Sequence, residues 1–183
     1  MQICYMLVGI PGSGKSTICE ELLKNTTDLT VLSTDEYIEK YAKERNKTYN
    51  EVHRESVGDA QKWMNNQIRA LMNQKKNFIW DQTNVFKSAR RKKITNLKQK
   101  KYNIVAVVLE LTPEELNKRL SKRENSGGKH ISPKIIQDML ASYERPSYEE
   151  GFCDIYLIKD DGVPQLIEKT LNLNTTINPF KKN

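Results

Sequence analysis

"GIPGSGKST", residues 9–17, follows the apolar run "ICYMLV" at 3–8. Gly9, Gly14, Lys15 and Ser16 fit the pattern G-x-x-x-x-G-K-[ST], with a strand expected before it and a helix after it. Each position has a physical reason. Glycine lets the backbone curl through Pro11, Gly12 and Ser13 so that N–H groups point inward at phosphate oxygens. Lys15 reaches for a β- or γ-phosphate, and the Ser16 hydroxyl suits Mg²⁺. Thr17 lies in the first turn of the helix whose positive end faces the same anion. The stretch predicts a nucleotide-phosphate site, but it does not name the reaction.

Outward from this loop, four more β-rich runs alternate with helical stretches. They are 30–33, 77–81, 103–111 and 154–159. Several carry consecutive apolar residues rather than strict alternation, as strands covered on both faces do. Helices are expected at about 15–24, 36–45, 49–75, 87–100, 113–124 and 132–143. The third places Val52, Ala60, Met64, Ile68 and Leu71 on one stripe. Thr112 ahead of "PEE" marks a helix start: a capping hydroxyl, a first-turn proline, then acids at the positive end. The alternation predicts a doubly wound α/β fold with right-handed crossovers. No repeat or long linker divides the chain, so one domain is expected over 1–173, with a loose tail at 174–183.

Bulk properties agree with such a domain. The 183 residues suffice for a single core, and 37% hydrophobic content favours folding over disorder. No apolar run is long enough to span a membrane and no export signal is visible, so a cytoplasmic location is expected (host-cell cytoplasm if viral). Cys4, Cys19 and Cys153 form neither a disulfide framework nor a zinc pattern, and read as reduced thiols. The net charge of +7 favours a polyanionic partner.

Two acids follow predicted strands. Asp35, in "LSTDEY", would sit at the carboxyl end of the second strand, where open α/β sheets hold their ligands. There it can orient an attacking hydroxyl and take its proton, or it can merely cap the helix expected at Glu36. Asp81, in "WDQTN", falls where a carboxylate meets Mg²⁺ or holds the loop hydroxyls, Thr83 and Asn84 then turn the chain, and all three are expected to meet the substrate. Arg119 and Arg123 lie one turn apart on a helix before "NSGGK". They read either as a lid that closes on a transferring phosphoryl group or as solvated surface charges.

"KSARRKKITNLKQKK", residues 87–101, is densely basic around a narrow stripe of Ile94 and Leu97. Most of these cations read as a solvated face. Arg90 and Arg91 are the ones expected to track a nucleic-acid backbone. Trp63 and Trp80 could stack bases, although Trp80 belongs to a strand and reads better as core.

Taken together, "GIPGSGKST", "STDEY", "WDQTN", "KRLSKRE" and "HISPKIIQDMLASYERPSYEEGF" resemble, in order and spacing, the polynucleotide 5′-hydroxyl kinases of the phage type and the mammalian kinase/phosphatase type. The last motif is the most specific. The resemblance covers roughly residues 3–160 and implies a P-loop kinase fold with a helical lid. It implies transfer of the γ-phosphate of ATP, or another NTP, with Mg²⁺, to the 5′-OH of DNA or RNA. Under it Lys15 and Ser16 are the phosphate-loop pair, Asp35 the general base, Asp81 the acid after strand three and Arg123 the lid arginine, with Arg119 one turn earlier.

The sequence departs from the phage-type pattern at Ile38, where that type has an arginine for the acceptor phosphate. Acceptor binding would then fall to cations such as Lys40, Lys43 or Arg45. A phosphatase or ligase module is not expected here. Two alternatives stand beside this reading: a small-molecule or nucleoside kinase on the same scaffold, and a non-catalytic RNA-binding P-loop module. "DQTNV" before "ARRKK" also resembles the latter's nuclear scaffold type.

Overall fold

A computed structural model describes residues 2–125, 129–167 and 179–180. Five strands run parallel: β1 (Ile3–Gly9), β2 (Leu29–Ser33), β3 (Asn77–Asp81), β4 (Asn103–Leu109) and β5 (Asp154–Ile158). A short β6 (Pro164–Leu166) adds antiparallel to β5, giving the order β2-β3-β1-β4-β5-β6. The expected α/β architecture is therefore present, and β6 is an addition that the sequence reading did not contain.

β1 lies at the centre and is buried on both faces. Cys4, Met6 and Val8 enter one core with Met64, Ile68, Trp80, Ile94 and Leu97. Tyr5 and Leu7 enter the other with Ile18, Leu22, Ile79 and Val107. This double burial is why the strand has no polar alternation.

Among the described residues six α-helices flank the sheet: α1 (Lys15–Asn25), α2 (Thr34–Glu44), α3 (Tyr49–Asn73), α4 (Lys87–Gln99), α5 (Pro113–Asn125) and α6 (Pro133–Ala141). α1 packs on the Tyr5 face, while α3 and α4 share the other. The α3 stripe is as expected, with Val52, Ala60, Met64 and Ile68 buried and Leu71 partly so. Ile38 and Ala42 of α2 pack on Val52 and Ala60. Thr48 and Glu51 form a capping box that starts α3, and Thr112 Oγ1 accepts from Glu115 N at 3.3 Å to start α5.

α5 and α6 form the helical lid. Leu116 and Ile136 close over Ile10 and Val85 at the carboxyl ends of the strands. The "NSGGK" connection falls largely on 126–128, outside the described residues. Most of the expected tail also lies outside them. Its two described residues, Pro179 and Phe180, return to the core, where Phe180 meets Tyr156 edge-on at 5.4 Å. Among the described residues no helix is long and apolar enough to cross a membrane.

Topology decides what meets at the carboxyl edge. β3 lies between β1 and β2, so Ser33 pairs with Asp81 in register, and Gly9 at the end of β1 meets Thr83 two residues further on. Every strand-to-helix turn that carries a candidate residue opens there.

Candidate active site

The phosphate loop rises from β1 as a tight curl. Gly12 and Gly14 have φ values of 88° and 101°, in the left-handed region that a side chain resists. Space is equally short: a Cβ on Gly12 would meet Leu120 Cδ2 at 2.7 Å, and one on Gly14 the Arg119 guanidinium at 3.1 Å. Lys15 Nζ donates to the carbonyls of Gly9 and Ile10 at 2.9 and 3.1 Å, folded over the curl. Burial lowers Lys15 to about 8, against the pull of Asp81 and Asp35 and with the push of Arg123. Ser13 Oγ is buried with no hydrogen-bond partner. A loop with this shape and an inward lysine fits a bound phosphate chain.

The loop opens into a cavity of about 1210 Å³. Pro11, Gly12, Gly14, Lys15 and Ser16 line it, as do Asp35, Asp81, Thr83, Asn84, Arg119 and Arg123. Gly9 and Ser13 face a smaller space of about 270 Å³ beneath the loop. Thr17 is exposed on α1, off both walls.

The two readings of Asp35 separate cleanly. Ser33, not Asp35, caps α2: its Oγ accepts from Asp35 N at 3.2 Å. The Asp35 carboxylate is thereby left to the cavity, where Tyr49 OH donates to it at 2.7 Å and Lys129 Nζ pairs with it at 2.5 Å. Lys129 also lies over the Tyr49 ring, 3.5 Å from its centroid. Burial pushes the Asp35 carboxyl up, but the hydrogen bonds from Lys129 and Tyr49 and the nearby positive charges outweigh it and hold the group below its usual value. Asp81 goes the other way. Burial raises it, Lys15 opposes the rise and Asp35 adds to it. Two neighbouring carboxyls thus differ in proton affinity because only one has direct cationic partners.

Ser16 and Asp81 line the same end of the cavity. A hydroxyl and a carboxylate beside a phosphate cradle are a fitting donor set for Mg²⁺, which takes few protein ligands and completes its shell with phosphate and water. Arg119 is anchored rather than loose: Nε donates to Glu115 at 2.8 Å and Nη1 to the Ser13 carbonyl at 3.0 Å. That bond ties α5 to the phosphate loop. Arg123 lines the cavity one turn further on, close enough for its charge to lower both Lys15 and Lys129.

Arg90 and Arg91 do not line the cavity, and for Arg90 the structure corrects the expectation of a backbone contact. The Arg90 side chain is 0% exposed, and its guanidinium is consumed by Glu150, at 2.8 and 2.7 Å, and by the Asn84 carbonyl at 2.9 Å. Arg91 is exposed on the outer side of α4. Asn84 touches the cavity, but its side chain is buried and its amide donates to the Leu7 and Gln82 carbonyls at 2.7 and 3.2 Å. Its φ of 49° turns the chain, as expected of an asparagine there. Thr83 accepts from Gly9 N at 2.9 Å through its carbonyl, stitching this turn to the phosphate loop.

The distinctive "YERPSYEEGF" stretch braces that turn. Glu144 accepts from Lys87 N at 2.7 Å, Glu150 holds Arg90, and Tyr143 and Arg145 hold Glu110. Of the cations proposed to replace the phage-type arginine, none lines the cavity: Arg45 stacks on Tyr41, and Ile38 itself is only 1% exposed, a core residue. Lys129, Tyr49 and Lys93 are the site residues that sequence reasoning missed. Lys93 Nζ donates to Gln82 Oε1 at 2.6 Å and Asn84 Oδ1 at 2.5 Å, lies 4.8 Å from the Trp80 ring centroid, and is lowered to about 8 by burial.

The AAA domain family matches residues 5–146, most of the chain. The chain belongs to that family. Among curated relatives it is 27% identical over 149 residues to human heterogeneous nuclear ribonucleoprotein U-like protein 2, covering 77% of this chain and 19% of the relative. It is 28% identical over 169 residues to human NEDD4-binding protein 2, covering 91% of this chain and 9% of that one. The chain therefore spans a small part of the length of the curated relatives it matches. Among solved structures, its fold is similar to a chain of the Pnkp1/Rnl/Hen1 RNA repair complex (TM-score 0.62, 24% identity, 77% of this chain and 43% of that one). It is also similar to a sugar kinase from Janibacter sp. HTCC2649 (TM-score 0.58, 19% identity, 87% and 86%) and to a fungal RNA kinase (TM-score 0.53, 15% identity, 86% and 74%). This is a P-loop kinase-like fold.

Proposed function

We propose that this chain is a polynucleotide 5′-hydroxyl kinase that moves the γ-phosphoryl group of ATP, or another NTP, to the 5′-OH of DNA or RNA. The observation that carries the reading is a single cavity lined by Lys15, Arg123 and Asp35, with Asp35 released from helix capping by Ser33. A phosphate cradle alone fits many reactions. An ionised carboxylate across from it, in a cavity of about 1210 Å³, fits transfer to a hydroxyl.

In the proposed step the acceptor oxygen forms a bond to the γ-phosphorus while the bond from that phosphorus to the β–γ bridging oxygen breaks. The hydroxyl proton passes to Asp35, and the nucleoside diphosphate leaves. Lys15 and the loop N–H groups hold the phosphate chain, and Arg123 meets the charge that builds on the transferring group. Asp35 is kept ionised by Lys129 and Tyr49, so it accepts a hydrogen bond from the hydroxyl and fixes its direction. Ser16 and Asp81 would hold Mg²⁺, which supplies charge neutralisation on the phosphates. The RNA repair complex and the RNA kinase of similar fold support a nucleic-acid acceptor, as does the net charge of +7.

The test is label transfer from γ-labelled ATP to matched 5′-OH oligonucleotides, nucleosides and hexoses. Label on oligonucleotides, abolished in Asp35→Ala and severely reduced in Arg123→Ala, is expected. Label only on small molecules makes this a metabolite kinase. Undiminished rates in Asp35→Ala would discard the base assignment. Retained RNA binding with no transfer would leave a non-catalytic module.

A further inference from the structure

The cavity reaches well past the phosphates. One wall is a stripe of α3, with Tyr49, His53, Gln61 and Asn65 separated by multiples of four residues, as side chains on one helix face are. At 1.5 Å per residue, Tyr49 to Asn65 spans about 24 Å. The facing wall is α4, through Ala89, Lys92, Lys93 and Asn96. Both helices pack on the same sheet face, and their far ends are linked by Lys100 Nζ donating to Asn73 Oδ1 at 3.2 Å. Tyr49 starts this groove at Asp35.

The groove's polar groups are held in a fixed relay. Trp80 Nε1 and Lys93 Nζ both donate to Gln82 Oε1, which orients its amide. Gln82 Nε2 then donates to Gln61 Oε1 at 3.1 Å, and Gln61 Nε2 to Asn65 Oδ1 at 3.2 Å. Among the described residues that line the cavity, the acids are Asp35 and Asp81, both at the phosphate end. Along α3 and α4 the polar lining beyond them is the carboxamides of Gln61, Asn65, Gln82 and Asn96, with Lys92, Lys93 and His53.

We infer that this groove is the acceptor track: a single-stranded polynucleotide several nucleotides long lies between α3 and α4 with its terminal hydroxyl at Asp35. The inference rests on the kinase reading above. Length favours it, since about 24 Å holds several nucleotides at roughly 3.4 Å per stacked step. A nucleoside or hexose would occupy only the first part. Chemistry favours an unpaired strand, because carboxamides hydrogen-bond base edges that a duplex hides. Lys92, exposed on the rim, is placed for backbone phosphate.

The experiment measures kcat/KM for 5′-OH single strands of two, four and eight nucleotides and for a blunt hairpin. The expected result is about a tenfold rise from dinucleotide to octamer, carried by KM, with the hairpin no better than the dinucleotide. Lys92→Glu and Asn65→Trp, both at exposed helix positions, should each remove most of that rise, and thermal melting reports whether they remain folded. If one variant melts, the other and the wild-type length series still decide. Equal kcat/KM at all lengths, or a rise that both folded variants keep, overturns the track alone. Label on no oligonucleotide overturns the function reading, and the track falls with it.

Discussion

Replacing Arg90 with methionine tests the brace behind the site. Arg90 and Glu150 have side-chain exposures of 0% and 4%, and they meet through two near-parallel hydrogen bonds. Removing one partner of a buried pair strands the other charge, which typically costs about 3–5 kcal/mol. A domain of this size has only about 5–15 kcal/mol in total. Arg90→Met should therefore lower the urea midpoint by about a fifth or more with the slope unchanged. Removing both charges in Arg90→Met/Glu150→Met recovers part of the loss, because no ion is left unpaired. The double variant still leaves Ser147 N without the carboxylate it donates to, and Asn84 O without its guanidinium. It should stay within about 2–3 kcal/mol of wild type. A buried pair is little screened, so the cost of Arg90→Met should hardly change between low and high salt. The assay is equilibrium unfolding followed by far-UV circular dichroism at two salt concentrations. A cost below about 1 kcal/mol, or a double variant as costly as the sum of the singles, would refute the brace.

Three further outcomes follow from the site. Lys15, at about 8 without ligand, should regain its proton when phosphate arrives, so nucleotide binding takes up a proton near pH 8–9 and weakens as pH rises further. Calorimetry in buffers of differing ionisation enthalpy reads the uptake, and Lys15→Met should abolish it. Lys129→Met removes the strongest cationic partner of Asp35, so the Asp35 carboxyl titrates higher and the acidic limb of the pH–rate profile moves to higher pH; an unmoved limb contradicts the role given to Lys129. Gly14→Ala must place a side chain at φ 101° and against Arg119, which should cost about 1–2 kcal/mol and more than tenfold in nucleotide affinity, measured by thermal shift with and without nucleotide.

What the sequence disclosed follows physical locality. The central strands were legible because burial on both faces leaves continuous apolar runs, and the phosphate loop because its constraints fall within nine consecutive residues. β6 was not legible: "PQL" at 164–166 is short, begins with proline and is exposed over two of its three positions. Arg90 was misplaced by its closeness to the helix start, when helical phase was the better guide. It precedes Ile94 by one turn and Leu97 by two, so it shares their buried face, while Lys92 and Lys93 turn to the cavity. Asp35 was found, but its partners were not. Tyr49 lies 14 residues on, and Lys129 follows a glycine pair that reads only as a connection. Nothing local marks either, because tertiary packing alone brings them together.

The three thiols differ in a way that is useful at the bench. Cys4 and Cys19 are enclosed, and burial drives both away from the reactive thiolate, Cys19 to about 12. Cys153 is only partly covered and stands just before β5, at the amino edge of the sheet and so at the opposite rim from the phosphate loop. A maleimide dye should couple there selectively, giving a fluorescent reporter whose attachment point leaves the catalytic mouth unobstructed.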